Sequence, residues 1–445
     1  MVAKTRPRAR PAAQSGLVAA GTTMVLATAV WWWVTTDAVT TFPQAVTEAG
    51  RLAGLTAGLA VVGLTVLAAR IGPLDRAIGS ESLYRWHAAL GRYAVWAVVV
   101  HVVAITWGYV LTARQSVGTV VAAFFADLWW RWATVATFAL IVVGAASLAA
   151  VRRRWPYEMW HALHLVTYAA ILVGLVHQVT TGAQFVGHPV ATALWVTVCA
   201  LPVVVLLANR LVRPAVTNAR HRFTVQAVIP ETDGVSSVVI GGIDLARIPV
   251  RAGQYVRVHA AAPGLRFASN PYSLSACPQN GCWRITVAAV GEQSRRLLGL
   301  PPGTRLWLEG PLGGLILGPG ERPVLLVAGG TGAAPVRALA EEALVRRNRV
   351  PVVVLYRVRE PAQALYGGEW AELTAWSGGR LTVYLRPGPR TAPGNALTPD
   401  ALTAVAPWIA AADVVACGAP DVIHAVAAGV GQTGAASLKV ESFGW

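Results

Sequence analysis

Five histidines lie in long apolar runs, where an imidazole is costly and tends to face a group that needs it. His161, His164 and His177 share the stretch WHALHLVTYAAILVGLVH, and His87 and His101 share RWHAALGRYAVWAVVVHVV. His87 and His101 are 14 residues apart, nearly four helical turns, so they face similarly at depths about 21 Å apart. His164 and His177 are separated by about 19.5 Å along the axis, and His161 and His177 by about 24 Å. Depth matching therefore favours His164. Facing angle does not, because thirteen residues of ideal helix turn the rings more than about 100° apart. A bulge, bend or tilt is needed to correct that.

Four neutral imidazoles at two depths on two helices suit two bis-histidine b-type haems, His87 with His164 and His101 with His177. A lone histidine is better read as a hydrogen-bonded core residue or interhelical glue, but two matched pairs reverse that balance. The pairs are too far apart in depth to share a zinc ion. His161 reads as a supporting or interfacial residue. Arg85 and Arg92 can meet inner propionates and Arg51 and Arg114 outer ones, the first two serving equally well as membrane anchors. His188, His221, His259 and His424 take structural readings.

The helices that must carry these rings are legible in the composition. Of 445 residues, 55% are hydrophobic, and the apolar residues crowd before about residue 212 in spans of bilayer length. Six are expected, at about 16–35, 52–70, 84–111, 130–151, 157–179 and 189–212. A cleaved signal peptide is the weaker reading of the first. The net charge of +16 does not mark a nucleic-acid binder. Basic residues concentrate in KTRPRARP, in the second-to-third connection (Arg70, Arg76, Arg85), in Arg152–Arg154 and near the end of span six (Arg210, Arg213, Arg220). That alternation predicts both termini on the cytoplasmic side of the cell membrane. Trp31–Trp33, Trp86, Trp129, Trp130 and Trp155 fit interfacial belts. The four cysteines form no CxxC pair, so neither a disulfide framework nor an iron–sulfur cluster is expected.

Beyond Pro214 short β-rich stretches (RFTVQAVI, SSVVIGGI, QYVRVHA, WRITVAAV, RLWLEG) alternate with Gly/Pro turns, predicting an antiparallel barrel. From Glu321 the order becomes strand, glycine turn, helix, strand, as in a parallel α/β sheet. The expected chain is multi-domain: a basic tail 1–15, a six-helix transmembrane di-haem bundle 16–214, an FAD-binding β-barrel 215–320 and a NAD(P)-binding α/β domain 321–445. Tyr272 and Ser273, in Asn270-Pro271-Tyr272-Ser273, can stack on a flavin and hydrogen-bond its reactive nitrogen. Gly291, Ser294 and Arg295 can hold a pyrophosphate. In GGTGAAP, Gly330, Thr331 and Gly332 lead into a helix with Pro335 in its first turn, so backbone can approach a dinucleotide. YRVRE lacks an acidic partner for a ribose hydroxyl, and Arg357 or Arg359 can hold a 2′-phosphate, which favours NADPH over NADH.

Residues 50–103 and the span-five stretch resemble the transmembrane domain of the ferric reductase and NADPH oxidase superfamily, and the likeness runs through both later lobes. The resemblance implies haem ligation by His87, His101, His164 and His177, and a module similar to ferredoxin-NADP reductases. It implies that Arg359 meets the 2′-phosphate, that Cys417 and Gly418 line the nicotinamide pocket, and that Phe443 or Trp445 covers the flavin. Asn270 stands where the family carries Arg or His, leaving Arg266 or Arg295 to meet the FAD phosphates. The implied activity is transfer of electrons from cytoplasmic NAD(P)H through FAD and two haems to a small external acceptor. Ferric iron leads; dioxygen (a superoxide-producing oxidase) and a quinone also fit. A different class remains open, a membrane-anchored flavoprotein or haem sensor serving a cytosolic partner, as does a transporter with a regulatory domain.

Overall fold

The computed structural model describes residues 12–155, 157–265, 269–278, 281–347, 349–389 and 397–443. The chain divides into a helical unit, Ala9–Ile71 with Ser82–Arg210, and a sheet unit that joins Gly72–Glu81 to Leu211–Trp445.

Among the described residues, six helices are long and apolar enough to cross a membrane. The chain runs α1 (Ala12–Thr35), α2 (Phe42–Ala68), α3 (Gly72–Ile78), α4 (Ser80–Ala113), α5 (Val117–Ala126), α6 (Leu128–Ala146), α7 (Ala149–Arg152), α8 (Tyr157–Thr181) and α9 (Pro189–Leu207). A π turn (Ala208–Val212) then leads into α10 (Arg213–His221). Polar caps fix where the helices begin. Thr41 and Gln44 form a reciprocal capping box on α2, satisfying two amides that the helix leaves bare. Asp127 accepts from the Trp129 and Trp130 amides at 2.9 and 3.0 Å, which starts α6. The fourth span ends at Ala146, short of the expected 151, where Ser147 turns its amide back on Val143 and Gly144. The sixth runs past 212 through the π turn to His221, with Pro202 inside α9.

Within the helical unit α2 presents glycines at every fourth position. A Cβ on Gly54 would meet the His101 ring at 2.7 Å, one on Gly58 the Trp195 ring at 2.7 Å, and one on Gly50 the Ile105 amide at 3.0 Å. Small residues at this spacing let helices approach closely in a membrane.

In the sheet unit β1 (Thr224–Thr232), β2 (Val235–Gly241), β3 (Tyr255–Ala260), β4 (Asn270–Ser273), β5 (Trp283–Ala288), α11 (Glu292–Leu298) and β6 (Leu306–Leu312) come first. They form two three-stranded antiparallel sheets, β1-β2-β5 and β4-β3-β6. Bridges from Thr224 to Arg305 and from Leu274 to Ile285 join the two sheets, giving the barrel whose alternating pattern was expected. There follow β7 (Val324–Gly329), α12 (Ala333–Arg346), β8 (Val352–Val358), α13 (Gly367–Trp376), β9 (Leu381–Pro387), α14 (Pro399–Val405), β10 (Asp413–Gly418), α15 (Pro420–Thr433) and β11 (Ser437–Ser442). Their strands make one parallel sheet in the order β11-β10-β7-β8-β9. Its central strands are buried on both faces, with Leu325, Leu326 and Val354 fully enclosed, the near-continuous apolar pattern of a covered parallel sheet.

Barrel and parallel sheet are clamped by charge. Glu369 on α13 takes both Arg284 on β5, at 2.7 and 2.9 Å, and Arg337 on α12. Arg337 also donates to the Ser275 carbonyl at 3.1 Å, and Glu341 accepts from the Cys277 amide at 2.9 Å. The loop leaving β4 is thereby tied to α12. Burial works against the Glu369 carboxylate, but the two guanidiniums prevail and hold its pKa below the usual value.

The short helix α3 belongs to this unit although its residues lie between the second and third spans in sequence. Its Asp75 is buried and accepts from the Gly313 amide at 2.7 Å. A Cβ on Gly314 would stand 3.1 Å from the Asp75 and Arg76 carbonyls, so the Gly313–Gly314 turn is the platform on which α3 rests.

Candidate functional site

In the helical unit the rings of His87 (α4) and His164 (α8) lie 6.3 Å apart between centroids, tilted by 59°. An iron held between two imidazole nitrogens sets ring centroids about 6 Å apart, so this pair fits a bis-histidine iron. Trp160 stacks on His164 at 5.0 Å, with the Arg152 guanidinium 4.5 Å from the Trp160 ring. The buried Nδ1 of His164 has no hydrogen-bond partner among the described residues.

His101 donates from Nδ1 to the Gly50 carbonyl at 2.8 Å. A carbonyl can only accept, so Nδ1 carries the proton and Nε2 keeps a lone pair for a metal. His177 Nδ1 is 3.1 Å from the Thr181 hydroxyl, and its ring meets Trp130 edge-on at 5.5 Å. His101 and His177 interact electrostatically. The expected angular conflict on α8 is not relieved by a bulge, for the helix is regular from Tyr157 to Thr181. His164 instead meets α4 through His87, while His177 meets α6 through Trp130.

Two features here escaped sequence reasoning. Gly54 leaves the space that His101 fills, and GxxxG spacing was the available signal. Trp130, read as a membrane-belt residue, forms an aromatic cluster with Phe124, 4.4 Å away and stacked, and with Tyr109 at 6.0 Å. Arg51, expected near a propionate, is engaged by Glu48.

In the sheet unit a continuous set of neighbours crosses from barrel to parallel sheet. Ser273 is buried and lies opposite Tyr255 in the β3–β4 ladder. The Tyr255 ring underlies Gly313, where a Cβ would come within 2.9 Å. Gly313 binds Asp75, Asp75 acts electrostatically on Glu441, and Glu441 pairs with Cys417 across β10–β11. Burial, then Asp75, pushes the Glu441 carboxyl up to about 7. Burial, reinforced by Glu441, keeps Cys417 a neutral thiol. Phe443 packs on the same core and donates its amide to the Gly418 carbonyl at 2.9 Å. Nothing in the sequence around Glu441 announces this burial.

At Gly332 the missing Cβ clears the Cys417 carbonyl, which it would meet at 2.1 Å. Gly330, at φ +55° with nothing within 4 Å, keeps the open position, and Thr331 continues the turn into α12, whose Pro335 is buried. The Ser294 hydroxyl is turned back on its own cap, accepting from the Gly291 amide at 3.0 Å and donating to the Gly291 carbonyl at 2.9 Å. Arg295 remains exposed beside it. Asn270 donates to Gln293 Oε1 at 2.9 Å and hydrogen-bonds Tyr272, whose phenol burial keeps protonated. Pro271 pairs with Arg257, which donates to the Ser269 hydroxyl at 2.8 Å. Arg359 is exposed just past the end of β8, whereas Arg357 is buried. Arg266 and Trp445 lie outside the described residues.

Gly330, Arg359, Cys417–Gly418 and Phe443 thus gather at the carboxyl ends of β7, β8, β10 and β11, where open parallel sheets take nucleotides. Residues 50–175 match the family described as ferric reductase like transmembrane component, and residues 326–428 match the oxidoreductase NAD-binding domain. The chain thus joins a ferric-reductase-like transmembrane segment to an oxidoreductase NAD-binding domain, with six helices of membrane-spanning length and apolarity among the described residues.

It is 27% identical over 157 residues to a flavohemoprotein of Deinococcus radiodurans, covering 34% of this chain and 39% of that one. It is 33% identical over 141 residues to an NADPH oxidoreductase of Mycobacterium tuberculosis, covering 29% and 37%. The chain therefore spans well under two thirds of the length of either relative. Among solved structures, an Amycolatopsis cytochrome P450 reductase matches at 25% identity and TM-score 0.43, over 50% of this chain and 69% of that one. The flavohem-like FAD/NAD binding domain of Vibrio cholerae nitric oxide dioxygenase matches at 23% and 0.42, over 50% and 99%.

Proposed function

We propose that the chain carries electrons from cytoplasmic NAD(P)H through FAD and two b-type haems to an acceptor on the far side of the cell membrane, with ferric iron the leading acceptor. The observation that carries this reading is the His87–His164 ring pair, set 6.3 Å apart inside an apolar bundle of a chain that also holds an NAD-binding domain. When bound, FAD turns a hydride into single electrons and the haems relay them.

The protein's own part is placement. His87 with His164, and His101 with His177, hold the irons, the Gly50 carbonyl and Thr181 hydroxyl orienting the second pair. Tyr272 supplies a ring for the flavin to stack on, Ser273 a hydroxyl at its reactive edge, and Arg295 a charge for its phosphates. Gly330, Thr331 and Pro335 form the turn that meets the nicotinamide dinucleotide, and Arg359 meets a 2′-phosphate, favouring NADPH. Cys417 and Gly418 line the nicotinamide pocket, and Phe443 covers the flavin until nicotinamide displaces it. One NAD(P)H reduces two ferric ions and leaves one proton behind, which the Glu441 carboxylate receives on the cytoplasmic side.

The test uses purified full-length protein. NADPH should reduce both haems without oxygen, and a ferric chelate should reoxidise them. Haem that dithionite reduces and nicotinamide never does would favour a sensor instead. Superoxide formed in air at the rate of NADPH loss would move the assignment to an oxidase.

A further inference from the structure

We infer that Trp160 is a positioning residue for the histidine His164: its indole, gripped by Arg152 on α7 and by Ser147 at the end of α6, holds the imidazole in the orientation that meets His87. The inference rests on the reading above that a haem iron lies between His87 and His164.

The histidine rings are not all oriented in the same way. His101 is fixed by its bond to the Gly50 carbonyl at 2.8 Å, and His177 meets the Thr181 hydroxyl at 3.1 Å. The Nδ1 of His164 is buried and has no hydrogen-bond partner among the described residues. Rotation of an imidazole about its Cβ–Cγ bond has only broad minima. A ligand without the usual hydrogen bond on its second nitrogen therefore needs another restraint to stay aimed at its iron. Trp160 supplies one. It stands four residues earlier on α8, on the same helix face, and its ring lies 5.0 Å from that of His164 with 22° between the planes. Turning the imidazole out of that plane gives up the stack.

The indole is itself held at two points. The Arg152 guanidinium lies 4.5 Å from the centre of the Trp160 ring, within the range of a cation–π contact. Trp160 Nε1 donates to the Ser147 hydroxyl at 3.3 Å, and that hydroxyl donates to the Val143 carbonyl at 2.8 Å. The residue that ends α6 thus also locates the ring. His87 arrives from α4 and lies 6.3 Å from His164, so the aim of one α8 imidazole is set by side chains from α6, α7 and α8 together.

A bis-histidine iron takes up carbon monoxide only when one imidazole swings away, so carbon monoxide affinity reports how firmly the ligand is aimed. In purified full-length protein reduced with dithionite, Trp160→Ala should raise that affinity about tenfold at one haem of the two, as loss of an aromatic stack predicts, and leave the other unchanged. Trp160→Phe keeps a ring while losing the bond to Ser147, and should restore most of the original affinity. Arg152→Gln, which takes the cation from the indole, should raise affinity about threefold. If Trp160→Ala sheds one haem outright, retention of both by Trp160→Phe supports the same conclusion. Carbon monoxide affinity that ignores Trp160→Ala, or a Phe variant that behaves as the Ala variant does, would overturn the inference. The titration needs no nicotinamide, so the expected result alongside haem that NADPH never reduces would fault the function reading alone.

Discussion

At the scale of single residues the imidazoles make the sharpest claims. His164→Ala combined with His177→Ala should remove both b-type haems, read as loss of the dithionite-reduced spectrum, while FAD stays bound in the other unit. Gly54→Val is expected to act more selectively, because its side chain would enter the space of the His101 ring; haem content per chain should fall towards one from two. For the nicotinamide, Arg359→Ala should raise the KM for NADPH by about tenfold, the worth of one charge-assisted contact, and leave the KM for NADH nearly unchanged. Equal effects on both would remove Arg359 from the 2′-phosphate.

At the scale of elements the clamp between barrel and parallel sheet turns on Glu369, held by guanidiniums from β5 and α12. Its carboxyl pKa is lower in the folded protein than the unfolded value of about 4.3. Its contribution is therefore complete above about pH 5 and fades as acid passes through the folded pKa. Glu369→Gln should cost about 2 kcal/mol at neutral pH, because two partly buried arginines lose their partner, and less at pH 3. Thermal melts of the full chain at both pH values check this.

Elements also mark what the sequence could disclose. The helices, the barrel and the parallel sheet were readable because their apolar periods of 3.6 and 2 are local properties. Helix ends were less so: Ser147 stops α6 through bonds to its own last turn, and nothing apolar changes until Arg152. That His87 and His164 lie side by side followed from depth along an axis. The environment of Glu441 did not, since its neighbours Cys417 and Asp75 are 24 and 366 residues away, and only the completed fold brings them together. Ser294 and Gly332 were legible as residue types, while the backbone groups they meet, the Gly291 cap and the Cys417 carbonyl, emerge only in the fold.

At the scale of the whole molecule, the two units trade a segment. Gly72–Glu81 is threaded through the membrane half in sequence and is folded with the sheet half in space. A fragment begun at Leu211 should consequently fold incomplete, with the Gly313 amide bare and Gly314 facing water. Supplying residues 72–81 as a free peptide should raise its melting temperature, and the same peptide carrying Asn for Asp75 should do so less. Domain swaps among such proteins should then succeed only when this decapeptide travels with the sheet-bearing half, making it the smallest inheritable unit of compatibility between the two halves.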